Sequence, residues 1–276
     1  MKKIIHLGID WEDFALVFFD RGKIRDYSFF SNDFYEENKY LLNFLKKESI
    51  KATFFCNART AEIYPDLVKT IVSNGHQIAA HGYLHKPRQL FTSDESFFQD
   101  SLKAKNILEE ITGLEITGYR APYLSLNQSN YITSLEIISN AGYTFDSSIT
   151  YSTYSKIKKN NPIMLRNIEK KIDIKKLFSI SFLNINLNLA GGSIWRLLPS
   201  KFIEISLRSY FKKTNLSLYF HPYEFGKFIN PERALDFHAS KFKKTFCWIR
   251  WNLGRKKIEN LISFLNKNDD INYQSY

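Results

Sequence analysis

Five short apolar runs in this chain each end on a residue that can do chemistry, and no other feature restricts the fold as much. Ile4 to Ile9 leads to Asp10, His76 to Ala80 to His81, Glu115 to Tyr119 to Arg120, Tyr143 to Phe145 to Asp146, and Leu216 to Phe220 to His221. Apolar runs of this length, separated by helical patterns, read as parallel strands with crossover helices. In a parallel α/β barrel the C-terminal ends of the strands open on one face, where active sites sit. Five strand ends delivering polar residues to one rim predict that architecture. An open doubly wound sheet is the runner-up, but no glycine-rich phosphate loop follows any of the runs.

The remaining pattern fills in the crossovers. Tyr40 to Lys47 carries helical spacing, and Ala52 to Cys56 reads as a second strand. Pro65 suits a first helical position, with Leu67, Val68, Ile71 and Val72 in one stripe, and Asn74-Gly75 stops that helix. Thr92 and Glu95 have capping-box spacing before a long helix that runs to about Thr112. A further helix spans Asn130 to Asn140 and stops at Gly142. Residues 151–190 read as an insertion at the barrel rim, in which Leu177 to Leu189 alternates as one or two strands. Arg255 to Lys267 reads as a closing amphipathic helix. With no repeat, low-complexity tract or linker, residues 1–276 are expected to form a single catalytic domain.

Composition narrows the setting. A hydrophobic content of 44% supports a globular chain, and no run approaches the ~20 apolar residues a membrane span needs. Met1-Lys2-Lys3 is followed almost at once by Asp10, Glu12 and Asp13, so no signal peptide is read and a cytoplasmic setting is expected. Cys56 and Cys247 cannot build a disulfide framework, and Cys56 reads as a small core residue. The net charge of +11 suits either a solvated basic surface, slightly the simpler reading, or attraction to anionic lipid headgroups or a phosphate-bearing substrate. Peripheral contact with an anionic membrane at the inner face stays open; a nucleic-acid partner is not expected.

The chemistry concentrates in four places. His81 and His85 stand four residues apart, and on a helical turn both imidazoles would point to one side and share a metal. Asp10-Trp11-Glu12-Asp13 crowds three carboxylates behind a buried strand, where they would repel unless a cation or arginine compensates. Two histidines and one carboxylate leave an open position for water, which is the catalytic form of zinc coordination, and a remaining carboxylate can act as base. Arg120 in Arg120-Ala121-Pro122-Tyr123 could hold such a carboxylate ionised, and His221 is placed to give a proton to a leaving group. Each motif alone also suits a bland reading: loop histidines, a solvated acidic turn, a surface arginine, a core-edge histidine.

Taken in order, the motifs resemble the polysaccharide deacetylase superfamily, also called the NodB-homology or carbohydrate esterase family 4. That family carries an aspartate motif after the first strand, then H-x-x-x-H, R-x-P-[YF], aspartate-serine, and a late strand ending in histidine. Here these are Asp10 to Asp13, His81 to His85, Arg120 to Tyr123, Asp146-Ser147-Ser148, and Leu218 to His221. Asn74 to Gly82 is similar to the family's "NGHEIASHG" run. The chain further resembles a branch associated with bacterial exopolysaccharide and surface-glycan loci, through a "DxED" acidic motif, a "GG…RLLP" run matching Gly191-Gly192 and Arg196 to Pro199, and "HP[WY]E" at His221 to Glu224.

The resemblance implies a distorted (β/α) barrel of about seven strands, and a role for each matching residue. Asp10 would be the general base, oriented by Arg120. His81 and His85 would bind a divalent metal, zinc above others. The backbone N–H of Tyr123 would help form the oxyanion site, and His221 would be the general acid. Trp11 stands where the commoner motif has its metal-binding second aspartate, so the third ligand must be Asp13 or Glu12. Continued strand alternation favours Glu12; a turn after Trp11 favours Asp13, which is preferred here for its short side chain. The implied activity is a metal-dependent hydrolase removing the N-acetyl group from an amino sugar in surface glycan metabolism, the sugar being free in a glycan or linked to a lipid or nucleotide. A deformylase on a lipid-linked amino sugar, a metal-free cyclic-ureide hydrolase on the same barrel and a non-catalytic glycan-binding relative are the alternatives.

Overall fold

The computed structural model describes residues 3–13, 32–182, 185–211, 215–226, 240–267 and 271–276. The strands are β1 (Lys3–Trp11), β2 (Thr53–Cys56), β3 (Gln77–Ala80), β4 (Gly118–Tyr119), β5 (Phe145–Asp146), β6 (Asp173–Ile174), β7 (Ser179–Phe182), β8 (Ile185–Asn188), β9 (Leu216–Phe220) and β10 (Ile271–Gln274). Among the described residues the main sheet has eight strands, and every pairing in it is parallel. From β9 the order runs through β1, β2, β3, β4 and β5 to β6. Leu177, just past β6, bridges in parallel to Thr150 on one side and to Ser217 of β9 on the other. Gly191 bridges in parallel to Tyr219 of β9 as well, so the ring is completed by isolated bridges rather than a full strand, which is the distortion of this α/β barrel. β10 lies beside only the first half of β1, pairing Lys3 to His6, while β2 takes the second half from Gly8 to Trp11.

Helices cover the sheet from outside, and so the strands are buried on both faces rather than alternating polar and apolar. All four residues of β2 are buried, as are Ile78, Ala79 and Ala80 of β3. The helix Pro65–Ser73 begins on its proline, as expected, and buries Leu67, Val68 and Ile71. The long helix Asp94–Thr112 also forms, and Gly113 ends it in the left-handed conformation. Its cap differs from the expected Thr92 and Glu95. Ser93 is the extended residue, its hydroxyl accepts from the Ser96 N–H, and the Ser96 hydroxyl accepts from the Ser93 N–H, both at 3.1 Å. A serine at each end of that box does the work without a glutamate.

Within residues 151–190, read above as a rim insertion, Tyr151–Asn160 and Pro162–Ile168 are helices that lead into β6 of the barrel. The alternating stretch after Leu177 forms two strands, β7 and β8, paired antiparallel as a separate hairpin; residues 183–184 lie outside the described residues. The helix Arg255–Asn266 closes against the barrel through Ile258, Leu261, Ile262 and Leu265.

The barrel interior tolerates little extra volume. A Cβ on Gly118 would stand 2.0–2.6 Å from the ring of Phe145, which is itself only 6% exposed. Gly118→Ala is therefore expected to cost about 1–3 kcal/mol through overpacking. Thermal denaturation should show a midpoint lower by roughly 3–10 °C; an unchanged midpoint would mean that Phe145 moves aside freely.

Candidate active site

The rim of the barrel gathers Asp10, Glu12, His81, His85, Tyr123, Leu124, Tyr219 and His221 around one cleft of about 220 Å³. Each polar member arrives by the route its strand dictates. Asp10 sits in β1 two residues after Gly8, and alternation points both to the barrel interior. Gly8 has to be small there, because a Cβ would meet the Arg120 guanidinium at 2.7 Å. Trp11 points the other way, its indole N–H donating to Asn38 at 2.6 Å and its ring against Phe34. The backbone then turns, the Glu12 N–H reaching the Asp10 carbonyl at 3.1 Å, and the Glu12 side chain stays on the Asp10 side.

Arg120 is fully buried beneath the cleft and is held along its whole edge. Its Nη1 donates to Asp10 Oδ1 at 2.5 Å, its Nε to the Ser147 carbonyl at 2.9 Å, and its Nη2 to the Ser147 hydroxyl at 2.8 Å. The guanidinium lies 3.8 Å from the Phe55 ring centre. A charged pair so deep depends on this full set of partners, and breaking one side leaves an uncompensated charge. The Asp146-Ser147-Ser148 motif acquires a purpose here. Ser147 holds the guanidinium, and the Ser148 hydroxyl accepts from the Ala121 N–H at 2.8 Å while itself donating to Asp146. Burial raises the Asp146 carboxyl to about 6 against the pull of Ser148 and Tyr131.

From below, the Tyr276 ring stacks on His6 and Phe145, with its hydroxyl 3.0 Å from Ser147 Oγ and accepting from Arg120 Nη2 at 3.3 Å. Tyr276→Phe leaves the Asp10–Arg120 pair intact. It is expected to lower stability by about 1 kcal/mol and to slow turnover less than about threefold. Denaturant melts and initial rates on one preparation check this; a rate loss above tenfold with unchanged stability would contradict it.

His81 follows β3 and is 2% exposed. Its Nδ1–H donates to the Arg120 carbonyl at 2.8 Å, and a carbonyl can only accept. That fixes the tautomer and leaves the Nε2 lone pair facing the cleft. Burial, with only partial compensation from Asp10, lowers the imidazole to about 4, so His81 is neutral. The His81–His85 segment is not the helical turn expected. It is a loop with left-handed backbone at Gly82 (φ 68°) and at His85 (φ 51°). Asp100 shapes that loop by accepting from the Tyr83 and Leu84 N–H groups at 3.0 and 2.9 Å, and Asn57 donates to the Gly82 and Tyr83 carbonyls. The cost of a left-handed non-glycine residue is sustained by these bonds and brings the His85 ring 5.3 Å from that of His81.

Both imidazoles meet the Glu12 carboxylate, whose Oε2 is in direct contact with His85 Nε2 and lies 4.0 Å from His81 Nε2. One ligand atom from each of Glu12, His81 and His85 lies within 4.8 Å of the others, and all three residues are buried. Burial opposes the charge on Glu12, but His85, then His221 and His81, outweigh it and hold the carboxyl at about 2. An ionised carboxylate and two imidazoles, all buried, are the donor set a divalent ion takes. Asp13, preferred above for its short side chain, is not in this group. It faces the Trp11 side, where burial, and after it the Asp13 charge, pushes the Tyr64 phenol up.

His221 closes the opposite wall at the end of β9. Its Nδ1–H donates to Glu224 at 3.0 Å, and its Nε2 points to Glu12 Oε1 at 3.5 Å. Burial pulls the imidazole down, but Glu224, Glu12 and Asp10 outweigh it and hold it at about 9, with a proton on the atom that faces the cleft. Glu224 is gripped in turn by Arg196 at 3.3 Å, and Arg196 also donates to the Trp251 carbonyl and the Ser193 hydroxyl. Tyr123 lies on the rim with left-handed backbone (φ 59°, ψ 15°) and its ring 4.8 Å from that of His85.

The structure thus brings together Asp10, Glu12, His81, His85, Arg120, Tyr123 and His221, and leaves Asp13 apart. Asp100, Asn57 and Arg196 had no assigned role in the sequence. The readable signal for Asp100 was an acid on the core-facing stripe of Phe97, Ser101, Ala104 and Leu108.

Residues 12–145 match the family model for polysaccharide deacetylase. A peptidoglycan deacetylase of Helicobacter pylori is 30% identical over 116 residues, 42% of this chain and 38% of that one. A peptidoglycan-N-acetylglucosamine deacetylase of Bacillus cereus is 34% identical over 83 residues, 30% of each. The match thus spans about a third of the length of these curated relatives. Among solved structures, the catalytic domain of a peptidoglycan N-acetylglucosamine deacetylase from Eubacterium rectale has the same fold, with a TM-score of 0.50 at 14% identity, covering 100% of this chain and 89% of that one.

Proposed function

We propose, from the match of residues 12–145 to the polysaccharide deacetylase family, that the chain belongs to the NodB-homology, carbohydrate esterase family 4 superfamily and is a metal-dependent hydrolase that removes the N-acetyl group of an amino sugar in a bacterial surface glycan. The observation that carries this reading is one cleft holding a Glu12, His81 and His85 donor set between an arginine-locked aspartate and a protonated histidine. The relatives named above as deacetylases of peptidoglycan support the substrate class.

Glu12, His81 and His85 would hold the ion, with zinc favoured by imidazole and carboxylate donors and cobalt or nickel able to substitute. When bound, it supplies a water of lowered pKa and a Lewis acid for the acetamide oxygen. Asp10 takes the proton of the attacking water, and the Arg120 guanidinium holds its carboxylate in place through a charge-assisted hydrogen bond. The Tyr123 N–H, on a residue with left-handed backbone at the rim, would help form the oxyanion site, an interaction worth roughly 3–4 kcal/mol when well placed. His221 Nε2–H protonates the departing amine, and Glu224 holds the ring for that transfer. An amide leaves poorly without that proton, so both wings of the cleft are needed.

Release of acetate and of formate from nucleotide-linked, lipid-linked and polymeric amino sugars, with and without chelator, tests the reading. Chelator-sensitive acetate release from at least one class is expected. Formate as the sole product would transfer the same machinery to a deformylase, and no release from any class would overturn the assignment.

A further inference from the structure

The helix Lys241–Asn252 carries its apolar stripe outward. Phe242, Phe246 and Ile249 stand at i, i+4 and i+7, one line along a helix, and are 82%, 57% and 44% exposed. Leu253, just beyond the helix, extends the line and is 53% exposed. The inward side is satisfied otherwise: Asn252 is buried, and the Trp251 ring packs edge-on against Tyr223. Residues 240–257 contain seven lysines and arginines and no acid, and Lys241 and Lys243 are exposed beside the stripe. A merely solvated basic face has no reason to line up phenylalanines in water.

We propose that this helix docks the protein on an anionic lipid surface, the stripe entering the headgroup boundary and the lysines meeting the phosphates. The contact lies on the bilayer rather than through it, since no helix among the described residues is long and apolar enough to cross a membrane. Charge complementarity selects lipid over a second copy, because self-association would press two cationic patches together. Trp251 touches Tyr223, and Tyr223 stacks on His221 at 4.7 Å, so docking sets the His221 wall of the cleft next to the membrane. Its use for a lipid-carried sugar rests on the deacetylase reading; the docking itself is read without turnover, and its failure leaves that reading standing.

The full chain is mixed at low salt with phosphatidylcholine vesicles, alone or with phosphatidylglycerol, and sedimented. Binding to the phosphatidylglycerol vesicles is expected. The double variant Phe242→Ser, Phe246→Ser should bind on the order of 100-fold more weakly with an unchanged thermal midpoint. The double variant Lys158→Gln, Lys159→Gln, on the separate helix Tyr151–Asn160, should bind like the parent. Equal binding by the parent and the phenylalanine variant would overturn the proposal in favour of diffuse charge attraction. Absent binding would overturn it as well, and stripe-dependent self-association without vesicle binding would replace lipid with a second copy of the chain.

Discussion

A Glu12→Gln protein is expected to come off the column without a divalent ion, and an Asp13→Asn protein to keep it. The two acids are neighbours in sequence but stand on opposite sides of the strand end. Glu12 contacts His85 and lies 4.0 Å from His81, whereas Asp13 acts on Tyr64. Glutamine preserves the shape of Glu12 and removes its charge, so a lost ion cannot be blamed on a hole in the fold. Losing the chemistry an ion supplies is worth several kcal/mol, and the rate should fall on the order of 10³-fold or more. Metal content by mass spectrometry and acetate release, measured on both variants, give the comparison. The reverse pattern, metal lost with Asp13 and kept with Glu12, would make Asp13 the ligand and require the rim to refold when the ion binds.

The second large effect belongs to His221. His221→Ala should slow hydrolysis of an N-acetyl amide by roughly 10²–10⁴-fold, the usual contribution of a general acid. An aryl acetate ester should suffer far less, because a phenolate departs with little help from a proton. Residual rates should therefore depend steeply on leaving-group pKa in the variant and shallowly in the parent. Glu224→Gln should show the same selectivity in milder form, since Glu224 holds the far nitrogen of the ring and is the foremost partner keeping the imidazole protonated. If amide and ester fall by one common factor, His221 binds substrate, and the proton comes from another group on the rim.

The parts of this site that were legible in the sequence are those that local periodicity controls. Asp10 and Asp146 stand near or at the ends of buried strands, and His81, Arg120 and His221 directly follow them, so parallel pairing carries all five to one rim whatever the loops do. The choice between Glu12 and Asp13 was tied to a turn after Trp11; the backbone does turn there, yet Glu12 stays on the cleft side, with the Trp11 indole held outward by Asn38. The left-handed backbone at His85 was not legible. It is imposed by Asp100 and Asn57, which reach the loop from other elements of the chain, and no pattern within residues 81–85 encodes them. The capping box shifted by one residue for a similar reason, two serines replacing the threonine and glutamate that spacing alone suggested. Strand β10 and the Tyr276 ring under Arg120 also escaped, since four residues beside the first half of β1 carry too short a pattern to read.

The central claim is that acetate release needs the ion the Glu12, His81 and His85 group would hold. One measurement meets it directly: metal content and acetate release from an N-acetylglucosamine polymer, followed on a single preparation through dialysis against chelator and re-addition of zinc. Content and rate should fall together and recover together, with His81→Ala inert at every stage. Undiminished acetate release from protein shown to be free of metal would contradict the account.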